Sequence, residues 1–175
     1  MKGKKIPVLG LGTGGHAKVV VEAIQAAGGY RIVGMLDPKK ELWNTYFLGA
    51  PVLGGDELLT ELYQKKLRHV FIGMGSSLDL TVRKKIYDKA IQHGFQVIAV
   101  IHPKAIISSS CHMKQAPSIM AAAVLDPGVC LGVNVLVNVG SYIGHDSVIG
   151  DHVHVAPHVA LGSAVCIGDC SFIGL

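Results

Sequence analysis

Two stretches with different periodicity predict an α/β domain with a parallel, Rossmann-like sheet over residues 1–103, followed by a left-handed parallel β-helix over residues 104–175. In the first stretch, short apolar runs alternate with helix-like segments, which is typical of a parallel sheet with crossover helices. In the second, an aliphatic residue recurs at every sixth position, which is the hexapeptide repeat of a β-helix. The boundary between the two domains is expected near His102-Pro103.

The elements of the first domain follow from the places where each apolar run begins and ends. Strands are predicted at IPVLGLG, RIVGMLD, HVFIGMG and FQVIAVIH, and helices at HAKVVVEAIQAAG, DELLTELYQKKL and LTVRKKIYDKAIQHG. Glycines after the first and third helices, and Asp56 at the start of the second, are ordinary stop and start signals. The segment between the second strand and the second helix contains Gly49, Pro51, Gly54 and Gly55 and is predicted to be a loop.

The second domain is defined by a run of aliphatic residues six positions apart, each usually followed by a small residue. Three hexads form one triangular coil of about 18 residues, and successive coils stack at about 4.8 Å. The aliphatic side chain is expected to point into the prism and the small residue to permit the corner. The predicted inward positions are Ile119, Leu125, Leu131, Val137, Ile143, Ile149, Val155, Leu161, Ile167 and Ile173.

Composition excludes several classes of protein. A content of 50% hydrophobic and 16% charged residues indicates a globular chain with a buried core. The net charge of +4 is dispersed over short lysine groups without interleaved aromatic residues, so a nucleic-acid-binding face is not expected. No apolar run is long enough to span a membrane. The four cysteines form no CxxC pair and no disulfide framework, which favours a reducing cytoplasm.

A nucleotide site is predicted at the ends of three strands. The glycine cluster Gly10 to His16 lies between the first strand and first helix, where backbone N–H groups and the helix dipole favour a phosphate. Asp37 ends the second strand and could accept hydrogen bonds from a ribose or a base, although a plain turn residue before Pro38 explains it equally well. Gly73 and Gly75 end the third strand at the same sheet edge.

His145 is the candidate for acid–base chemistry. It follows the inward Ile143 by two positions, so its side chain should leave the prism near a corner, and Asp146 is adjacent to it. An imidazole can accept a proton at neutral pH, particularly where a carboxylate fixes its tautomer. A surface histidine is the alternative interpretation. The run HVHVAPH invites a metal site, but side chains spaced by two and four residues would diverge around a corner, so no metal is expected.

Beyond these local patterns, the chain resembles the sialic-acid O-acetyltransferase-like and bacillosamine-pathway group of sugar O- and N-acyltransferases. The resemblance rests on GLGTGGHAKVVVEAI, MLDP, IGMGSS and NVGSYIGHDSVIGDHVHVAPHVALGSAVCIGDCSFIG, over nearly the whole chain. It implies that His145 is the catalytic base, that Asp146 orients it, and that Asn138 belongs to the active site. It further implies that His154, Gly162 and Ser163 contact acetyl-CoA, with His154 facing the thioester. The nucleotide of the sugar substrate would be held by Gly14, Gly15, His16, Asp37, Gly73 and Gly75.

The expected function is acetyl-CoA-dependent N- or O-acetylation of a nucleotide-activated amino sugar or related surface sugar. The resemblance also implies a homotrimer with active sites between adjacent β-helices. Relatives usually continue for another coil or two beyond Leu175, so weak acetyl-CoA binding is expected of a chain that stops there. Two alternatives stay open: a non-catalytic trimer that binds sugar nucleotides as a scaffold, and an acyltransferase for another small amine.

Overall fold

The computed structural model describes residues 5–75 and 80–174, which form two compact units. The first unit comprises Met1–Gly75 and Lys85–Ile98, and the second comprises Ser76–Lys84 and Ala99–Leu175. None of the helices in the described part of the chain is both long and apolar enough to cross a membrane.

The first unit is built on a six-stranded sheet in the order β3-β4-β2-β1-β5-β6. The strands are β1 (Ile6–Leu11), β2 (Tyr30–Leu36), β3 (Tyr46–Phe47), β4 (Ala50–Gly54), β5 (His69–Ile72) and β6 (Gln96–Val97). All neighbouring strands are parallel except β3 and β4, which form an antiparallel hairpin. The helices are α1 (Gly15–Ala27), α2 (Leu59–Gln64) and the part of α3 (Leu80–Gln92) that begins at Lys85, with short 3₁₀ turns at Lys40–Leu42 and Asp56–Leu58. The Rossmann-like α/β fold predicted for this part of the sequence is therefore confirmed.

Helix α1 shows why the local sequence folds in this way. Its buried residues include Ala17, Val20, Val21 and Ile24, a spacing that places them on one helical face against the sheet. The helix ends at Gly28, whose positive φ of 74° lets its N–H bond back to the carbonyl of Ile24. Because α1 begins directly after the turn that follows β1, the fold fixes the position of the predicted glycine cluster.

The second unit is a β-helix with three parallel faces, each made of two-residue strands. The first face contains β7 (Val100–Ile101), β10 (Ser118–Ile119), β13 (Leu136–Val137), β16 (His154–Val155) and β19 (Phe172–Ile173). The second contains β8 (Ile106–Ile107), β11 (Val124–Leu125), β14 (Tyr142–Ile143) and β17 (Ala160–Leu161), and the third contains β9 (His112–Met113), β12 (Cys130–Leu131), β15 (Val148–Ile149) and β18 (Cys166–Ile167). Paired residues are 18 apart, as in Leu136 beside His154. The predicted left-handed β-helix is confirmed.

The core of the prism is built on the aliphatic residues at the hexad positions, joined by residues two positions earlier such as Val135 and Val153. Ile119 to Val155 in that series are at most 2% exposed, while Leu161, Ile167 and Ile173 are partly buried against the same cluster. Ile101, Ile107 and Met113 continue the series toward the N-terminus and pack on the same core. The coil therefore begins before residue 104, with β7.

Three local expectations differ from the structure. The loop predicted between the second strand and second helix contains the β3–β4 hairpin. The second helix starts as a 3₁₀ turn at Asp56–Leu58 and ends at Gln64. The single strand predicted at FQVIAVIH is two strands, since β6 joins the α/β sheet and β7 opens the first face of the β-helix.

Candidate active site

The turn between β1 and α1 is tied to the end of β2 by one carboxylate. Asp37 Oδ2 accepts the backbone N–H of Thr13 at 2.8 Å and its hydroxyl at 2.6 Å. Asp37 Oδ1 accepts the N–H of Lys39 at 3.0 Å, and its backbone carbonyl accepts Nε1–H of Trp43 at 2.8 Å. The side chain that the sequence pattern assigned to the nucleotide thus also holds the glycine turn in place. Thr13, which the pattern did not single out, is its main partner.

These contacts favour the ionised form of Asp37. Burial of the carboxyl group would by itself raise its pKa, but the hydrogen bonds from Thr13 and Lys39, together with the charge of Lys39, outweigh it and the pKa of Asp37 is lowered. An ionised carboxylate offers about four acceptor positions. Thr13 and Lys39 occupy three of these positions.

Neither the packing nor the backbone conformation of the protein requires glycine at Gly14 and Gly15. Gly14 has an extended backbone with φ of −68°, and a Cβ atom on either residue would meet no other atom within 4 Å. Both are exposed, and within the residues that the structure describes no side-chain hydrogen bond caps the N-terminus of α1. The open surface lies at the positive end of a 13-residue helix, which is where a phosphate group is stabilised.

Gly73 and Gly75 are explained by close packing at the end of β5. A Cβ on Gly73 would overlap the carbonyl oxygen of Gly12 and lie 2.9 Å from Cβ of Ala17. A Cβ on Gly75 would lie 3.0 Å from Cβ of His16. The structure therefore brings Gly73, Gly75 and His16 together with the β1–α1 turn, as the sequence predicted for one sheet edge.

His145 and Asp146 lie at the corner of the coil that follows β14. Nδ1 of His145 is 2.8 Å from Oδ2 of Asp146, and both side chains are exposed. Asp146 adopts the left-handed backbone conformation with φ of 59°, and its N–H donates to the carbonyl of Pro127 one coil earlier. The carbonyl of His145 accepts the N–H of Ala164 one coil later. The corner is thus held by the neighbouring coils on both sides.

Gly162 and Ser163 stack one coil beyond Gly144 and His145. Their backbone atoms lie so close to Gly144 that a Cβ there would be 2.7 Å from the carbonyl carbon of Gly162 and 2.8 Å from the nitrogen of Ser163. Gly162 and Ser163 are exposed, and a Cβ on Gly162 would meet nothing within 4 Å. The structure therefore places these two residues next to the predicted base, with open space beside them.

Asn138 and His154 form a second pair, on the first face of the β-helix. Nδ2 of Asn138 and Nε2 of His154 are 3.3 Å apart, and both side chains are buried. The side-chain oxygen of Asn138 accepts the N–H of Val139, and the ring of Phe172 stands edge-on to His154 at 5.1 Å. His145 lies past the end of the second face, so the four residues assigned to the reaction occupy two separate places on the coil.

Two other features lie outside the predicted sites. A depression of about 270 Å³ in the first unit is lined by residues including Tyr30, Arg31 and Leu48, and one of about 220 Å³ in the second unit by Cys130, Val148 and Asp151. Within residues 5–75 and 80–174, no three His, Cys, Asp or Glu side chains are grouped so as to hold a metal ion.

Comparisons with known proteins identify relatives of this chain. Residues 8–90 match the family described as the PglD N-terminal domain. A histidine-to-asparagine mutant of perosamine N-acetyltransferase from Caulobacter crescentus, solved in complex with CoA and GDP-perosamine, is 31% identical with a TM-score of 0.87, covering 95% of this chain and 76% of that one. The acetyltransferase domain of PglB from Neisseria gonorrhoeae FA1090, in complex with acetyl coenzyme A, is 27% identical with a TM-score of 0.79 over 97% and 88%. WeeI from Acinetobacter baumannii AYE shares the fold at 22% identity, with a TM-score of 0.77 over 97% and 77%.

A Rossmann-like unit together with a left-handed β-helix of hexapeptide repeats defines the class of hexapeptide-repeat acyltransferases. Within that class, the chain belongs to the bacillosamine-pathway family of sugar acyltransferases.

Proposed function

We propose that this protein is an acetyl-CoA-dependent acetyltransferase whose acceptor is a nucleotide-activated amino sugar or a related surface sugar. Family membership supports the reaction class, since the relatives bound to CoA and GDP-perosamine, or to acetyl coenzyme A, are acetyltransferases. The observation that carries the proposal is the pair of His145 and Asp146 at an exposed corner, joined at 2.8 Å. It is a base with its orienting carboxylate, open to a substrate.

In the proposed reaction His145 is the general base. When Nδ1–H donates to Asp146, Nε2 keeps its lone pair and can take a proton from the acceptor amine or hydroxyl. The acceptor then forms a bond to the thioester carbonyl carbon, and the carbon–sulfur bond breaks. The proton returns from the imidazolium of His145 to the CoA thiolate that leaves. The carboxylate of Asp146 stabilises the imidazolium while it exists.

Acetyl-CoA is assigned to two places on the coil, the corner of His145 and the first face with His154, which the proposed homotrimer would bring together between adjacent β-helices. Gly162 and Ser163 stack on Gly144 and His145 and leave open space that an extended pantetheine arm can use. His154 is assigned to the thioester end, with its ring held by Asn138. Both side chains of this pair are buried, and they contact each other at 3.3 Å.

The nucleotide is assigned to the first unit. Gly14 and Gly15 leave the N-terminus of α1 uncovered for a phosphate, and Asp37 holds the turn that carries them. His16, Gly73 and Gly75 complete the same edge.

A direct assay tests the proposal. The purified chain is incubated with acetyl-CoA and either GDP-perosamine or a UDP-linked amino sugar. CoA is then separated by chromatography, and the mass of the sugar product is measured by mass spectrometry. We expect product heavier by one acetyl group, formed at least about 10²-fold more slowly by His145→Ala. Mild alkali distinguishes the linkage, because an ester is cleaved and an amide survives. A chain that is stabilised by a sugar nucleotide against thermal unfolding yet acetylates none of the acceptors would instead be a binding scaffold.

The assembly is proposed to be a homotrimer, as family membership suggests. Sedimentation equilibrium measures the mass directly. A mass of one or two chains at micromolar concentration would contradict the trimer without affecting the assignment of the reaction.

A further inference from the structure

The carboxylate of Asp146 lies over a glycine of the preceding coil, Gly128, which is 18 residues earlier in the sequence. A Cβ atom on Gly128 would overlap Oδ1 of Asp146 and lie 3.5 Å from its Cγ and 3.6 Å from its Cα. The backbone N–H of Asp146 donates to the carbonyl of Pro127 at 3.0 Å. The turn at Pro127 and Gly128 is therefore the surface on which Asp146 rests.

The backbone conformation does not by itself require glycine at this corner. Gly128 has φ of 75°, but Asp146 and Ala164, which occupy the same corner one and two coils later, have φ of 59° and 55°. Ala122 adopts φ of 57° at another corner. Since alanine is accommodated in this conformation, the specific consequence of a side chain at position 128 is its collision with the Asp146 carboxylate.

Relief of that collision would move the carboxylate that orients His145. The carboxylate of an aspartate can rotate away at little energetic cost, so the collision does not disrupt the fold. The other oxygen of the same carboxylate, Oδ2, is however 2.8 Å from Nδ1 of His145. The two oxygens are rigidly connected, and Oδ1 cannot leave Gly128 without moving Oδ2.

We propose that Gly128 is a positioning residue for the transfer reaction: its missing side chain seats Asp146 so that Asp146 holds His145 in its working orientation. This inference rests on the proposed function, in which His145 is the base. The turn is itself anchored from the coil before it, because the N–H of Gly128 donates to Oγ of Ser110 at 3.1 Å. Ser110, Gly128, Asp146 and Ala164 thus form one column at this corner, each 18 residues from the next.

The chain supplies a matched control in Gly140. It is also a corner glycine with positive φ, at 68°, and a Cβ there would come within 2.6 Å of the ring of His158, again 18 residues later. Alanine at either glycine therefore meets the same backbone conformation and the same kind of contact with an exposed side-chain end. Only Gly128 faces a residue joined to His145.

The experiment measures kcat and both KM values for Gly128→Ala and Gly140→Ala, with folding checked by circular dichroism. We expect kcat of Gly128→Ala to fall by about tenfold or more because the base is displaced, with KM for both substrates within about threefold. Gly140→Ala should keep kcat within about twofold of wild type. If Gly128→Ala fails to fold, Gly128→Asn replaces it, since asparagine adopts the left-handed conformation more readily.

A double-mutant cycle separates positioning from general damage. In the Asp146→Ala background, Gly128→Ala should change kcat by less than about twofold, because the residue through which it acts is gone. The inference is overturned if Gly128→Ala is as active as wild type, if Gly140→Ala loses as much, or if the loss is undiminished without Asp146. Near-wild-type activity of His145→Ala would refute the proposed base itself. An inactive His145→Ala beside a fully active Gly128→Ala would refute the positioning role alone.

Discussion

Replacing Asp37 by asparagine should destabilise the first unit, because the side chain accepts three hydrogen bonds and an amide cannot reproduce them. Oδ2 accepts two donors from Thr13 and Oδ1 accepts the N–H of Lys39. In either orientation, the amide nitrogen of asparagine would face one of these backbone N–H groups, donor against donor. Asp37 is 6% exposed, so water cannot easily restore the lost bond.

The magnitude follows from the number and kind of bonds. A hydrogen bond to a charged group contributes about 1.5–3 kcal/mol, and Asp37→Asn loses at least one of them together with the charge. We therefore expect a loss of about 2 kcal/mol in the free energy of unfolding. Thr13→Val removes only the hydroxyl donor and leaves the backbone N–H of Thr13 in place, so it should cost about 1.5 kcal/mol, the lower end of that range.

The same contacts predict a dependence on pH. Because the pKa of Asp37 is lowered from its ordinary value of 3.8 in the folded state, the unfolded state binds the proton more tightly. The stabilisation is therefore complete above about pH 5 and is lost as the pH falls through the lowered value in the folded state. The difference between wild type and Asp37→Asn should be constant from about pH 5 to 8 and should shrink below about pH 4.

Tryptophan fluorescence during urea unfolding measures this effect at the right place. Trp43 is the single tryptophan of the chain, and its indole N–H donates to the backbone carbonyl of Asp37. Asp56→Asn is the control, because Asp56 forms an exposed ion pair with Lys89 that should contribute less than about 1 kcal/mol. A free energy for Asp37→Asn within about 0.5 kcal/mol of wild type at pH 7, or a difference that persists unchanged to pH 3, would refute the reasoning.

Further predictions concern the proposed reaction. His145→Ala should lower kcat by at least about 10²-fold, as expected for loss of a general base, while His158→Ala, which changes another exposed corner histidine, should leave kcat unchanged; equal losses in the two variants would contradict the assignment. Gly14→Ala should raise KM for the sugar nucleotide more than KM for acetyl-CoA without lowering the melting temperature, since a Cβ there meets no protein atom. Gly73→Ala should lower the melting temperature, because its Cβ would overlap the backbone of Gly12. A lower melting temperature for Gly14→Ala than for Gly73→Ala would contradict this prediction.

The sequence predicted the β-helix well because its core imposes a strict rule. The prism takes an aliphatic side chain at the same point of every hexad, so residues such as Ile119, Val137 and Val155 recur with a fixed spacing that needs no knowledge of the rest of the fold. The start of the coil was missed for a related reason. Ile98 donates its N–H to Val70 of the α/β sheet, and Val100 donates to Pro117 of the β-helix, within one uninterrupted apolar run. Hydrophobicity alone does not reveal such a change of partner.

The β3–β4 hairpin was missed because its turn lacks the usual residues. Leu48 and Gly49 connect the two strands with φ of 47° and 82°. Two-residue turns with both φ values positive normally carry Asn-Gly or Asp-Gly, and leucine is disfavoured at the first position. Tertiary contacts of the hairpin override that preference here, since Val52 pairs with Met35 in the central part of the sheet.

The two parts of the candidate site differ in how far the sequence could predict them. In the β-helix, residues 18 apart are neighbours, so the period that reveals the fold also identifies what lies beneath Asp146 and above His145. Gly128 could therefore have been found from the repeat alone. The contact between Thr13 and Asp37 spans 24 residues and depends on the pairing of β1 with β2, which no period encodes. In the coil, an active-site residue is surrounded by positions that can be counted along the sequence; in the α/β unit, its partner is known only once the sheet order is known. Further positioning residues around His145 can therefore be identified by counting 18 residues along the sequence. Those at the nucleotide edge can be identified only from the structure.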